Sequence, residues 1–174
     1  MNYFYEIATV LFTCLLVHIF FNGWFGVKNL GRSRMVLFMA SYFFLHSIAT
    51  LLPLSPLILI AVSFLLFFGI AGALYQTTLT SALYSSLLFV ALAVLSQYLC
   101  LVLLNALGVD TSILMAGGNA RAILLVLAKT VHFAVVLIVA SVLRKNRVAL
   151  SIKQVVPLLP CLIVSIYICY DHKI

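Results

Sequence analysis

Ala122–Leu143 reads AILLVLAKTVHFAVVLIVASVL and runs straight into Arg144-Lys145-Asn146-Arg147. The stretch exceeds the ~20 apolar residues that a helix needs to cross a hydrocarbon core. Yet it carries Lys129 and His132 near its middle. An ammonium at membrane depth costs about 2.5–3.5 kcal/mol on insertion scales unless it meets a partner or water. Lys129 is therefore expected to face protein, and the basic cluster beyond Leu143 is expected to hold that helix end in the cytoplasm.

The rest of the chain follows the same pattern. Of 174 residues, 66% are hydrophobic and 7% charged, against about 25% charged in a soluble domain. An aqueous surface cannot be assembled from this composition. The expected fold is an all-α polytopic membrane bundle, one domain over residues 1–174, in contact with the lipid bilayer of the plasma membrane. Its six helices are expected near 5–25, 35–52, 57–74, 81–107, 122–143 and 155–170. The formal charge of +7 does not point to nucleic acid, because the basic residues sit in short loops between apolar runs and form no continuous patch. The N-terminal MNYFYEIATVLF lacks a basic leader and a small-residue cleavage site, so it reads as a retained helix.

Basic residues then set the orientation. Lys28, Arg32 and Arg34 follow the first helix, and Arg144, Lys145, Arg147 and Lys153 follow the fifth; only Arg121 and Lys173 fall on the other side. The positive-inside bias places the N-terminus outside. Pro53 and Pro56 shape the turn between the second and third helices. Gly69-Ile70-Ala71-Gly72-Ala73 in the third suggests close helix packing. Residues 108–120 are expected to form the longest loop.

Depth arithmetic at about 1.5 Å per residue brings four polar side chains to one level. Lys129 lies eight positions from Arg121, Gln97 ten from Leu107, and His46 six from Leu52, while Glu6 begins the first helix on that side. Glu6, His46, Gln97 and Lys129 are expected to line a polar cavity open to the outside, with Lys129 attracting an anionic group such as a carboxylate. The alternative is that Lys129 snorkels, or bonds only to Gln97 and backbone carbonyls as a helix–helix tie. His132 shares a helical face with Lys129; an imidazolium beside an ammonium is disfavoured, so a neutral, hydrogen-bonded packing role is expected. Cys14, His18 and Asn22 form an i, i+4, i+8 ladder, but without a second Cys/His pair an interhelical contact is expected rather than a metal site. Cys14, Cys100, Cys161 and Cys169 lie within apolar runs as reduced hydrophobes.

No HExxH, GxSxG or Walker A pattern occurs. Glu6, Asp110 and Asp171 are the only acids, and none is placed to pair as a general acid/base dyad. No catalysis, cofactor or metal is expected.

The order of features resembles the membrane sensor region of GHKL-type sensor histidine kinases, the class that includes the accessory-gene-regulator peptide receptors of quorum sensing. The matching features are the basic loop from Lys28 to Arg34, the long fourth helix with Gln97, and Ala128-Lys129 in the fifth. The basic link Arg144–Arg147 and the proline-led Pro157-Leu-Leu-Pro160-Cys-Leu-Ile-Val-Ser165-Ile complete it. The resemblance implies a receptor module that detects an extracellular peptide or small signal. It also implies a homodimer and a seventh helix leading to a cytoplasmic kinase domain. The 174 residues hold no phospho-accepting histidine segment, N-box or glycine boxes, which fits a truncated or separately encoded sensor. Gln97 stands where many relatives carry an acid. Two other classes compete. A small structural or transport protein, such as a rod-shape-determining component or a carrier, is the first, although Gly and Pro interruptions do not repeat between halves as carriers require. A quorum-peptide-processing endopeptidase is the second, but Gly117-Gly118-Asn119 lacks the following His and has no Cys nearby.

Overall fold

The computed structural model describes residues 3–52, 54–109 and 118–146. Five helices occupy nearly all of them: α1 (Tyr3–Phe25), α2 (Arg32–Leu51), α3 (Pro56–Leu74), α4 (Leu79–Ala106) and α5 (Gly118–Asn146). All five are long and apolar enough to cross a membrane. The sixth expected span, 155–170, lies outside the described residues.

Several helix ends differ from the sequence expectation, each for a local reason. Arg32 and Arg34, expected in a loop, belong to the first turn of α2. α3 opens with Pro56 at its first turn, where a missing N–H is harmless, and Ser55 Oγ accepts from Ile58 N at 3.4 Å. α4 starts earlier than expected because Thr78 Oγ1 accepts from Ser81 N at 3.3 Å and caps it. α5 extends at both ends: Gly118, Asn119 and Ala120, expected in a loop, are helical, and so are Arg144 to Asn146. α1 stops at Gly26, whose φ of +72° belongs to the left-handed region that favours glycine.

The helices run alternately up and down and close into a ring. Each packs on its sequence neighbours among the pairs α1–α2, α2–α3 and α3–α4, α4 packs on α5, and α5 returns to α1. Five alternating helices cannot close a ring with antiparallel pairs alone, so the closing pair, α1 and α5, runs parallel. α1 is the most enclosed helix, with Leu16, Val17, Phe20 and Phe21 fully buried. Outward faces are apolar: Val36, Leu37 and Phe44 on α2, Leu65 on α3, and Ile123 and Ile138 on α5 are all exposed. An apolar exterior around helices whose backbone bonds are satisfied internally suits contact with lipid.

Small residues do bring two helices close, at a different place from the one expected. Gly69 and Gly72 face outward, and a Cβ added at either would meet nothing within 4 Å. The close approach is at Gly23, where an added Cβ would lie 3.1 Å from Ala140 Cβ on α5.

At the end of the bundle that carries Lys28, Arg32 and Arg34, the α1–α2 and α3–α4 turns are tied together. Val27 and Tyr75 form an antiparallel bridge. Lys28 N donates to Leu74 O at 2.8 Å, Gln76 N to Gly26 O at 3.1 Å, and Gln76 Nε2 to Val27 O at 3.1 Å. The Lys28 ammonium donates to Gly72 O.

Candidate functional site

The alternating topology gathers one set of helix ends opposite the basic turns: the start of α1, the end of α2, the start of α3, the end of α4 and the start of α5. A cavity of about 280 Å³ lies in that half of the bundle. Glu6, His46, Gln97 and Lys129, from four different helices, all line it. Depth along each helix is what brings them to one level.

Lys129 is turned into the protein. Its ammonium donates to Thr13 Oγ1 of α1 at 2.8 Å, and Thr13 is buried. The alternative of a tie to Gln97 is therefore replaced by a tie across the α1–α5 seam. Glu6 is buried near the N-terminal end of α1. His46 is 8% exposed and its Nδ1 has no hydrogen-bond partner among the described residues. His132, expected as a hydrogen-bonded packing residue, is 2% exposed and lines the same cavity with Nε2 unpartnered. Two buried imidazole nitrogens without partners are unusual, because an unpaired buried polar group costs about 1–3 kcal/mol. Both belong to residues on the cavity wall, where an occupant can satisfy them.

Hydroxyls complete the polar lining, and the sequence reading passed over them. Thr9, Thr13, Thr50 and Ser63 all line the cavity. Thr9 Oγ1 donates to Glu6 O at 2.7 Å, Thr13 Oγ1 to Thr9 O at 2.8 Å, and Thr50 Oγ1 to His46 O at 2.9 Å. Each of the three threonine protons is satisfied within its own helix, which leaves those oxygens as acceptors. One signal could have found them: Glu6, Thr9 and Thr13 at i, i+3 and i+7 mark one face of α1.

The floor is aromatic. Phe67 of α3 and Phe89 of α4 meet edge to face at 4.8 Å and 74°. His46 packs on Phe67 at 5.9 Å and His132 on Phe89 at 5.2 Å. Below them Phe89 contacts Phe20 and Phe21, and Phe21 contacts Tyr75. This stack separates the polar cavity from the tied turns at the other end.

The Cys14–His18–Asn22 ladder resolves into an interhelical contact: His18 Nδ1 lies 3.0 Å from the Tyr75 hydroxyl, Cys14 is buried, and Asn22 is exposed. Among the described residues no group of three His, Cys, Asp or Glu side chains could hold a metal ion. Glu6 is the only carboxylate side chain among the described residues.

No protein-family model, curated protein or solved structure matches the chain.

Proposed function

We propose that this chain is the ligand-binding membrane module of a receptor in the plasma membrane, with the N-terminal end of α1 and the cavity facing outside. The positive-inside bias of Lys28, Arg32 and Arg34 supports that orientation. The carrying observation is the direction of Lys129: its ammonium sits on Thr13 within a cavity shared with Glu6, His46 and Gln97. An intramembrane cation facing a protein cavity is a recognition element by default, here suited to a carboxylate or similar anionic group. His46 Nδ1 and His132 Nε2, each as an N–H donor, supply further hydrogen bonds around it.

Cavity size limits the ligand. At about 280 Å³ the site lies just below the usual span of ligand pockets, about 300–1,000 Å³. It suits a small signal, or one residue or terminus of a peptide. The aromatic floor favours a blind binding site over a conduit. Communication to a cytoplasmic kinase domain belongs to the same proposal and rests on the resemblance of the chain to sensor-kinase membrane regions.

The test uses the purified chain in micelles. Its melting temperature is followed while small carboxylates (acetate, propionate, succinate) and their neutral amides are titrated, since a ligand of the folded state raises stability by mass action. Carboxylates should stabilise the native chain more than the matched amides do. Lys129→Met should still insert and fold but lose that preference. Equal stabilisation by acid and amide, or a preference that survives in Lys129→Met, overturns the reading.

A further inference from the structure

A second concavity lies on the outer surface of the bundle, between α1 and α2, and shares no residue with the polar cavity. Its volume is about 790 Å³ and its walls are almost wholly apolar. Leu11 and Leu15 of α1 face Val36, Met39 and Phe43 of α2 across it. On α2 the lining runs from Met35 to Phe43, which at about 1.5 Å per residue is roughly 12 Å. That is close to one leaflet of a hydrocarbon core about 30 Å thick. The groove thus serves the leaflet on the side of the basic turns.

Charge is placed at its mouth with a defined register. Arg32 lies three and four positions before Met35 and Val36, so it continues the same α2 stripe one turn beyond the groove. On α1 the exposed Asn22 follows His18, a groove residue, at i+4 in the same way. Arg32 is exposed and has no hydrogen-bond or ion-pair partner among the described residues, whereas the nearby Lys28 ammonium is engaged by Gly72 O. Arg34 is also exposed but lies about 200° further round the helix, off the stripe.

We propose that the α1–α2 groove is a binding site for an anionic phospholipid of that leaflet, one acyl chain in the groove and the phosphate against Arg32 and Asn22. Guanidinium and phosphate match in geometry as well as charge. The apolar walls take the chain, and Arg32 at the mouth selects a headgroup with net negative charge over a zwitterionic one. This site stands independently of the ligand assigned to the polar cavity.

The test is a lipid titration of the full chain, released from micelles for native mass spectrometry. Phosphatidylglycerol and phosphatidylcholine carry identical acyl chains, so their ratio isolates the headgroup. The native chain should bind phosphatidylglycerol about five-fold more tightly, the effect of one basic residue near a phosphate. Arg32→Gln should bring the ratio close to one, while Arg34→Gln, with the same loss of net charge, leaves it unchanged. Ala40→Phe, which fills the groove, should weaken both lipids together. A ratio untouched by Arg32→Gln, or lowered equally by Arg34→Gln, overturns the proposal. So does a dimer whose formation excludes lipid and is broken by Ala40→Phe, because a second copy would then be the occupant.

Discussion

The close approach at Gly23 allows a quantitative test of the α1–α5 seam, which also carries the Thr13–Lys129 bond. A methyl placed at Gly23 would sit 3.1 Å from Ala140 Cβ and 3.6 Å from Ala140 O, whereas ordinary contacts begin near 3.4 Å. Gly23→Ala must therefore spread the seam by at least 0.3 Å, the difference between 3.4 and 3.1. Overpacking of this kind costs about 1–3 kcal/mol, and the better helix propensity of Ala offsets about 1 kcal/mol. The single variant should lose about 0–2 kcal/mol. Ala140→Gly carries the opposite propensity change, roughly 1 kcal/mol unfavourable, and removes a buried methyl. In the double variant the two propensity changes cancel and one methyl returns to the seam from the other helix. Its stability should lie within about 0.5 kcal/mol of native, giving a coupling energy of about 2–4 kcal/mol, because Ala140→Gly loses about 0.8 kcal/mol of methyl burial on top of its propensity term. Reversible unfolding in mixed micelles, followed by far-ultraviolet circular dichroism, measures all four corners of the cycle. Gly23→Ala alone should also weaken the carboxylate preference, since Thr13 and Lys129 face each other further along the same parallel pair, and the double variant should restore it. Single-variant effects that add to within about 0.3 kcal/mol would refute the close approach of α1 and α5.

Two further substitutions probe the floor and the tied end. Phe89→Ala removes a fully buried ring that touches Phe67, His132, Phe20 and Phe21; it should cost about 3–5 kcal/mol and make liposomes holding the protein leak protons, read with an entrapped pH dye. Tight liposomes with this variant would show that Phe89 is not part of the seal. Tyr75→Phe deletes the hydroxyl 3.0 Å from His18 Nδ1 and should lower stability by about 0.6 kcal/mol, the average for interhelical bonds in membranes, and by no more than about 1.7, with no effect on carboxylate preference; a gain in stability would refute the bond.

What the sequence made legible follows from the kind of signal each feature leaves. The membrane class and five of the helices are written in long apolar runs interrupted by Lys28–Arg34, Pro53–Pro56 and Tyr75–Thr80. The shared level of Glu6, His46, Gln97 and Lys129 could be counted from helix ends, because rise per residue is fixed even when helix order is unknown. Order itself left no trace: helices apolar on every side, such as α3, have no stripe that names a neighbour, so the parallel α1–α5 closure could not be read. The small-residue run Gly69–Ala73 misled for the same reason. It has the composition of a packing face, but Ile70 and Ala71 turn inward and the glycines turn out. The threonines of the cavity were passed over because a hydroxyl that bonds its own helix hardly interrupts an apolar run. The role of Thr13 as acceptor for Lys129 depends on which helix lies opposite, and only the fold supplies that.

The bridge between Val27 and Tyr75 makes the bundle mechanically uneven. Four staves are hooped at one rim by main-chain bonds, whereas among the described residues α5 is joined to the others by side chains alone. A force applied at Lys129 therefore meets a rim-bound wall on one side and, on the other, a rod held by its packing on α1 and α4. That rod continues for roughly 26 Å from Lys129 to Asn146 at the helical rise, so a small tilt at the polar cavity would emerge as leverage beside the basic rim.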